Sequence, residues 1–279
     1  MRILRQIATL CMPLVACAGQ SRSTSASPIR VLVVTATQGF RHSEAIAAST
    51  ERLKQAEPTS GMHFDFTEDP AALNANNLAN YDVLFLNNST LRIAVDNPAD
   101  SAARAAARWP KDGVAQPISR DQQQAIVSFV RDGRGLVAIH SAVDAFYSWT
   151  DYREMVGGGL FLKHPYTREA RANIEDRSNA AVAHLAPSVV FREEIYYLDV
   201  NPRATSHVLM SLDLPSVGDT TRTDHPLAFI RRYGKGRVFV NVLGHFGDTW
   251  RRQDYLDSVL QGIRIAAGRV PADFSVAAR

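Results

Sequence analysis

Apolar, β-branched runs recur along the chain, and the segments between them carry helical periodicity. Residues 30–35 (Arg30-Val31-Leu32-Val33-Val34-Thr35) form a continuous apolar run, the pattern of a strand covered on both faces. A glycine-bearing loop follows, and residues 43–55 read as a helix with Ser43 as N-cap. Residues 63–67 alternate as a second strand, and residues 81–86 form a third that ends at Asn87-Asn88-Ser89. Ser119-Arg120-Asp121-Gln122 has the form of a capping box and opens a helix to Arg131, closed near Gly133. The apolar strand 135–139 then ends at His140. Strands alternating with helices predict an α/β, doubly wound, mostly parallel sheet with helices on both faces.

The second half is richer in strands, at 171–175, 189–199, 207–212, 227–233 and 237–243. Gly234-Lys235-Gly236 joins the last two as an antiparallel C-terminal hairpin. Residues 254–267 form a closing helix that ends near Gly268. The Ala/Arg/Pro-rich stretch 97–117 has no clear period and reads as a surface loop or short helix near the site.

Composition changes the picture mainly at the N-terminus. Arg2 and Arg5 precede an apolar run, 7–15, too short to cross a bilayer, so residues 1–16 read as an export signal. Leu14-Val15-Ala16-Cys17 has the form of a lipobox, with Cys17 as the lipidated residue; Ala16-Cys17-Ala18 also fits ordinary cleavage and soluble secretion. Residues 17–27 are a flexible tether, and a single domain spans 28–270. The expectation is an exported protein, periplasmic or anchored at the outer membrane by lipid alone. Both cysteines, Cys11 and Cys17, precede the domain, which excludes an internal disulfide, a thiolate metal ligand and a cysteine nucleophile there. The net charge of +3 drops to +1 without Arg2 and Arg5, and the basic residues are scattered, which argues against a nucleic-acid partner.

Histidines carry the candidate chemistry. Of eight, His42, His140 and His245 each lie just beyond an apolar strand, where open α/β sheets bind ligands. His164 follows Gly157-Gly158-Gly159, and His63, His184 and His207 read as structural. Imidazole suits both proton transfer and metal ligation. Glu193 and Glu194 are adjacent in a strand and so face opposite sides; either one points inward, with its pKa raised toward acid–base use, or both are exposed charges on an edge strand. Asp144 could orient His140 or cap a helix. Trp149, Tyr152 and Phe146 read as core more readily than as a sugar platform. No metal-ligand spacing falls on one element, so a divalent metal such as zinc would need His42, His140, His164 and His245 to assemble from separate loops. No phosphate-binding glycine loop follows the first strand.

His140-Ser141-Ala142-Val143-Asp144, Trp149, Tyr152, Val156-Gly157-Gly158 and Phe161 with His164-Pro165 resemble the central signature of ThuA-like (trehalose-utilisation) proteins. Glu194 with Tyr196, Asp224-His225-Pro226, Gly236-Arg237, Gly244-His245 and Phe40-Arg41-His42 extend the resemblance over the domain. It implies a flavodoxin-like sheet of the class I glutamine amidotransferase type. Amidotransferase activity itself is excluded, since the strand that would carry the nucleophilic cysteine leads into His140-Ser141. The resemblance further implies an enzyme acting on trehalose-like or 3-keto glycosides, with His140, Glu194 and Asp144 catalytic. Arg41, His42, Trp149, His164, Tyr196, His225 and His245 would contact the substrate. The alternatives are a non-catalytic sugar-binding surface lipoprotein and a metal-dependent hydrolase. The expected partner is a small carbohydrate, and a homo-oligomer is compatible with the sequence.

Overall fold

The computed structural model describes residues 27–93 and 117–276. The leader with Cys17, the tether up to residue 26, and residues 97–116 of the insertion lie outside them. Among the described residues no helix is long and apolar enough to cross a membrane.

Among the described residues nine strands form one mixed sheet, with helices packed against it. The strands are β1 (Ile29–Val34), β2 (Met62–Thr67), β3 (Val83–Asn87), β4 (Gly135–Ile139), β5 (Phe161–Ile174), β6 (Ser188–Leu198), β7 (His207–Leu212), β8 (Pro226–Tyr233) and β9 (Gly236–Asn241). The described helices are α1 (Ser43–Ser60), α2 (Ala75–Leu78), α3 (Arg120–Arg131), α4 (Thr150–Met155), α5 (Leu214–Val217), α6 (Gly247–Arg251) and α7 (Gln253–Ala266). The sheet order is β2-β1-β3-β4-β9-β8-β7-β5-β6. The first five strands of that order are parallel. Their centre is the apolar core: β3 and β4 have no exposed residue, as the uninterrupted apolar runs require.

The antiparallel part is larger than a C-terminal hairpin. β8 pairs with β9 as expected, and β7, β5 and β6 continue the antiparallel ladder beyond it. β5 begins at Phe161, ten residues before the strand read from the sequence. Only Ala172–Ile174 of it pairs with β7, whereas β6 pairs along its length, so β5 and β6 run out of the sheet as a two-stranded ribbon. The ribbon part of β5 is mostly exposed and carries Pro165 at an irregularity in the ladder. That exposure erased the apolar signal, and a proline in a strand is tolerated at such a place.

Two helix boundaries also differ. Ser43 is the first residue of α1 rather than its cap; His42 occupies the N-cap without a capping hydrogen bond, which leaves its ring available elsewhere. The helix continues through Pro58 to a left-handed stop at Gly61. The Ser119 capping box opens α3 as read, with Gln122 as the reciprocal partner.

Helix α7 lies close on β9, and Gly262 makes that approach: a Cβ there would collide with the Phe239 ring. Gly262→Ala should therefore destabilise the domain by about 1–3 kcal/mol, despite alanine's better helix propensity. Urea unfolding measures this, and a stabilised variant would contradict the packing.

Candidate active site

Three parallel strands deliver one histidine each to their carboxyl edge. His42 follows β1 at the start of α1, His140 follows β4, and His245 follows β9. His140 has left-handed backbone (φ 50°), a conformation that costs a non-glycine residue about 1–3 kcal/mol and gathers at functional sites. The imidazoles meet nearly at right angles: centroids are 4.7 Å apart for His42–His140, 4.8 Å for His42–His245 and 5.2 Å for His140–His245. The ribbon closes over them from the other half of the sheet and contributes Glu194, Tyr196 and His164.

Glu194 is the hub. Its Oε2 lies 3.0 Å from His245 Nδ1 and 3.7 Å from His140 Nε2, and its Oε1 lies 3.2 Å from His164 Nδ1. His140 Nδ1 is 2.9 Å from the Val242 carbonyl, which can only accept, so that nitrogen carries a proton, and Nε2 faces His245 Nδ1 at 3.2 Å. His140 has no exposed surface and reaches the pocket through these partners. Tyr196 covers the His140 ring at 4.1 Å.

The two adjacent glutamates divide their roles opposite to expectation. Burial pushes the Glu193 carboxyl up, against the opposing effects of His140, Thr249 and two backbone amides, but Glu193 has no path to the pocket. Glu194 faces the pocket; burial pushes it up as well, but the His140 and His245 rings beside it outweigh that and hold it well below the usual carboxylate range. The group with the raised proton affinity is thus structural, and the one at the site stays ionised. His42 is lowered to about 2, chiefly by burial and then by His140 and His245, so its ring is neutral.

Glu193 fixes the loop that carries His245. It accepts the Gly244 and His245 N–H groups at 3.0 Å each and the Thr249 hydroxyl. The Gly244 carbonyl accepts from Trp250 Nε1 at 3.2 Å and Asn88 Nδ2 at 3.3 Å. Gly244 has φ 113°, and a Cβ would press on the Tyr255 hydroxyl, so only glycine fits.

The pocket above this cluster has a volume of about 480 Å³, within the range of small-molecule sites. His42, His164, Tyr196, His245, Glu194 and Asp144 line it, as the sequence grouped them. Asp144 accepts the Tyr147 hydroxyl. Phe40, Phe161 and Lys163 also line it and were not singled out as site residues, although Phe40 and Phe161 stand within the quoted motifs. Phe40 is 45% exposed at the rim, a large apolar face open to a ligand.

Three candidates lie elsewhere. Arg41 makes a two-pronged ion pair with Glu68, at 2.6 and 3.1 Å. Trp149 is buried against Phe146 and Tyr152. His225 is buried against Tyr197, whose neighbour Tyr196 faces the pocket from the opposite side of the strand. Of the histidines read as structural, His63 pairs with Glu57 and Asp65, His207 with Asp176, and His184 with the Asp254 carbonyl.

A family profile described as trehalose utilisation matches residues 30–266. The chain belongs to the ThuA family. A putative ThuA-like protein from Bacteroides uniformis has a similar structure, with TM-score 0.67 and 18% identity over 88% of this chain and 94% of that one. Another from Parabacteroides merdae gives TM-score 0.63 and 20% identity, again over 88% and 94%. A cytoplasmic protein of Salmonella typhimurium gives TM-score 0.54 and 14% identity over 85% and 99%. These likenesses support the mixed α/β fold; membership of a family described by trehalose utilisation suggests a carbohydrate-related role. A comparison with curated proteins finds no match.

Two outcomes test this geometry. Glu193→Gln leaves buried donors poorly met and should cost about 1–3 kcal/mol; an unchanged urea midpoint would remove the clamp. Burial and then Arg222 lower His225 to about 4 from 6.5. The folded state therefore binds fewer protons than the unfolded one between those values. Its contribution is complete above pH 6.5 and is lost as pH falls toward 4, by up to about 1.4 kcal/mol per pH unit. His225→Asn should flatten the acid limb of a stability–pH curve, and an unaltered slope would contradict the buried neutral ring.

Proposed function

We propose that the chain is an enzyme acting on a trehalose-like glycoside or its 3-keto derivative, with Glu194 and the imidazoles joined to it as the proton-transfer centre. The observation that carries this reading is the convergence of Glu194, His140, His164 and His245 beside the aromatic faces of Phe40, Phe161 and Tyr196. Sugar rings stack their C–H faces on aromatic rings and present hydroxyls to carboxylates and imidazoles, and the pocket offers both kinds of partner.

A 3-keto group acidifies the neighbouring C2–H. A base removes that proton, the electron pair moves onto the carbonyl oxygen as an enediolate, and its return expels the glycosidic oxygen from C1, which takes up a proton. A carboxylate held as low as Glu194 is a weak base. The better acceptors are the imidazoles it orients, above all the half-exposed His164 and the partly exposed His245. In this reading His140 acts on the substrate through Glu194 and His245, and Asp144 binds a hydroxyl from the opposite wall.

Turnover of trehalose, cellobiose and their 3-keto derivatives by the mature protein tests the proposal. A group taking part in general acid–base chemistry contributes about 10²–10⁴-fold, and Glu194→Gln should lose about that much. Sugar binding without turnover of any of these compounds would replace the enzyme with a capture protein.

A further inference from the structure

The centre beneath the pocket gathers imidazole nitrogens around a carboxylate oxygen. The Val242 carbonyl takes the His140 Nδ1–H, so Nε2 is the nitrogen turned to the centre. Glu194 Oε2 faces the same point, 3.7 Å from that nitrogen. His245 Nδ1 stands between them, at 3.2 Å and 3.0 Å. His42 adds a further ring: its Nδ1 is buried with no hydrogen-bond partner among the described residues. Unmet buried acceptors and donors are costly and call for a partner.

The spacing of these atoms suits one partner in particular. Zinc binds imidazole nitrogen and carboxylate oxygen at roughly 2.0–2.2 Å, which puts the ligand atoms of a tetrahedron about 3.3 Å apart. The three contacts among His140 Nε2, His245 Nδ1 and Glu194 Oε2 are 3.0, 3.2 and 3.7 Å. With one ring nitrogen of His42, the four donor atoms all lie within 4.8 Å of one another. The three rings stand nearly perpendicular to one another rather than stacked.

We propose that His42, His140, His245 and Glu194 hold one divalent transition-metal ion of the zinc class, with Glu194 bound through Oε2 alone. His164 is outside the ligand set: its Nδ1 holds the other oxygen, Oε1, at 3.2 Å, and its ring is half exposed at the pocket mouth. The outer partners are those a metal-bound histidine needs. The Val242 carbonyl fixes the His140 tautomer, and Glu193 fixes the backbone of His245. The pocket borders the centre and leaves a side from which a sugar oxygen could approach. This ligand set shares its site with the proposed function but is read without any sugar, so the two stand or fall separately.

The test uses untagged, chelator-treated protein titrated with Zn²⁺ alone, and with Co²⁺ as a spectroscopic probe. The expected result is one equivalent of Zn²⁺ per chain, with the visible absorption of four- or five-coordinate Co²⁺. His164→Ala should leave that stoichiometry unchanged. Glu193→Gln, acting only through the backbone it holds, should weaken binding by about 10–100-fold, and His140→Ala and Glu194→Gln by more. Folded wild-type protein that retains no stoichiometric Zn²⁺ overturns the proposal, as does equal retention by folded His140→Ala and Glu194→Gln. Should those variants fail to fold, the wild-type Co²⁺ spectrum decides: the faint bands of an octahedral aqua ion would overturn the assignment. Sugar turnover by protein that binds no Zn²⁺ would remove the metal and leave the enzyme; bound Zn²⁺ without turnover would do the reverse.

Discussion

A carboxylate with no exposed surface must be met by donors or give up its charge, and Glu193 is met three times, by two backbone amides and a hydroxyl. All three donors belong to the segment that runs from β9 into α6, whereas Glu193 belongs to the ribbon strand β6. One side chain therefore ties the antiparallel half of the sheet to the carboxyl edge of the parallel half. Because successive residues of a strand face opposite ways, fixing Glu193 also aims Glu194 at the histidines. The spacing of Glu194 from His140 and His245 follows from this tie. The tie adds to the ribbon's own ladder, the short pairing of β5 with β7, and the bonds of Arg168, Tyr197 and the Val190 carbonyl to neighbouring segments.

The strained backbone at His140 makes sense in the same frame. Strand β4 is fully buried and cannot turn its last residue outward without leaving the regular ladder. The left-handed turn at His140 swings the ring across the edge, where the Val242 carbonyl fixes one nitrogen and leaves the other for Glu194 and His245. The fold supplies a sharp strand-to-helix turn at this point, and the residue mounted on it is an imidazole rather than a thiol. What the fold can host is broader than what this chain does; the chemistry resides in the side chains placed there.

Much of the parallel half was legible in the sequence because strands covered on both faces must be largely apolar, as β4 is throughout and β1, β3 and β9 are apart from Arg30, Asn87, Arg237 and Asn241. The convergence of His42, His140 and His245 was legible for the same reason, since each follows such a strand. The ribbon was not. Residues 162–169 are mostly exposed, interrupted by Pro165 and paired mainly on one side, so no apolar alternation marks them as strand. Trp149 and His225 stand within family motifs, but a motif does not say which side of a sheet a residue faces, and both turned out to be packing residues of the interior. The division of labour between Glu193 and Glu194 depends on contacts with residues about fifty positions away, which no local pattern encodes.

The central claim is that four of the eight histidines form one site and the other four do not. Side-chain ¹⁵N NMR of the imidazoles, recorded while a trehalose-like or 3-keto sugar is added, tests it most directly. The account predicts that the signals of His42, His140, His164 and His245 shift together, with His140 present as the Nδ1–H tautomer, while His63, His184, His207 and His225 stay in place. A response confined to the second group, or a His140 ring protonated on Nε2 instead, would contradict it.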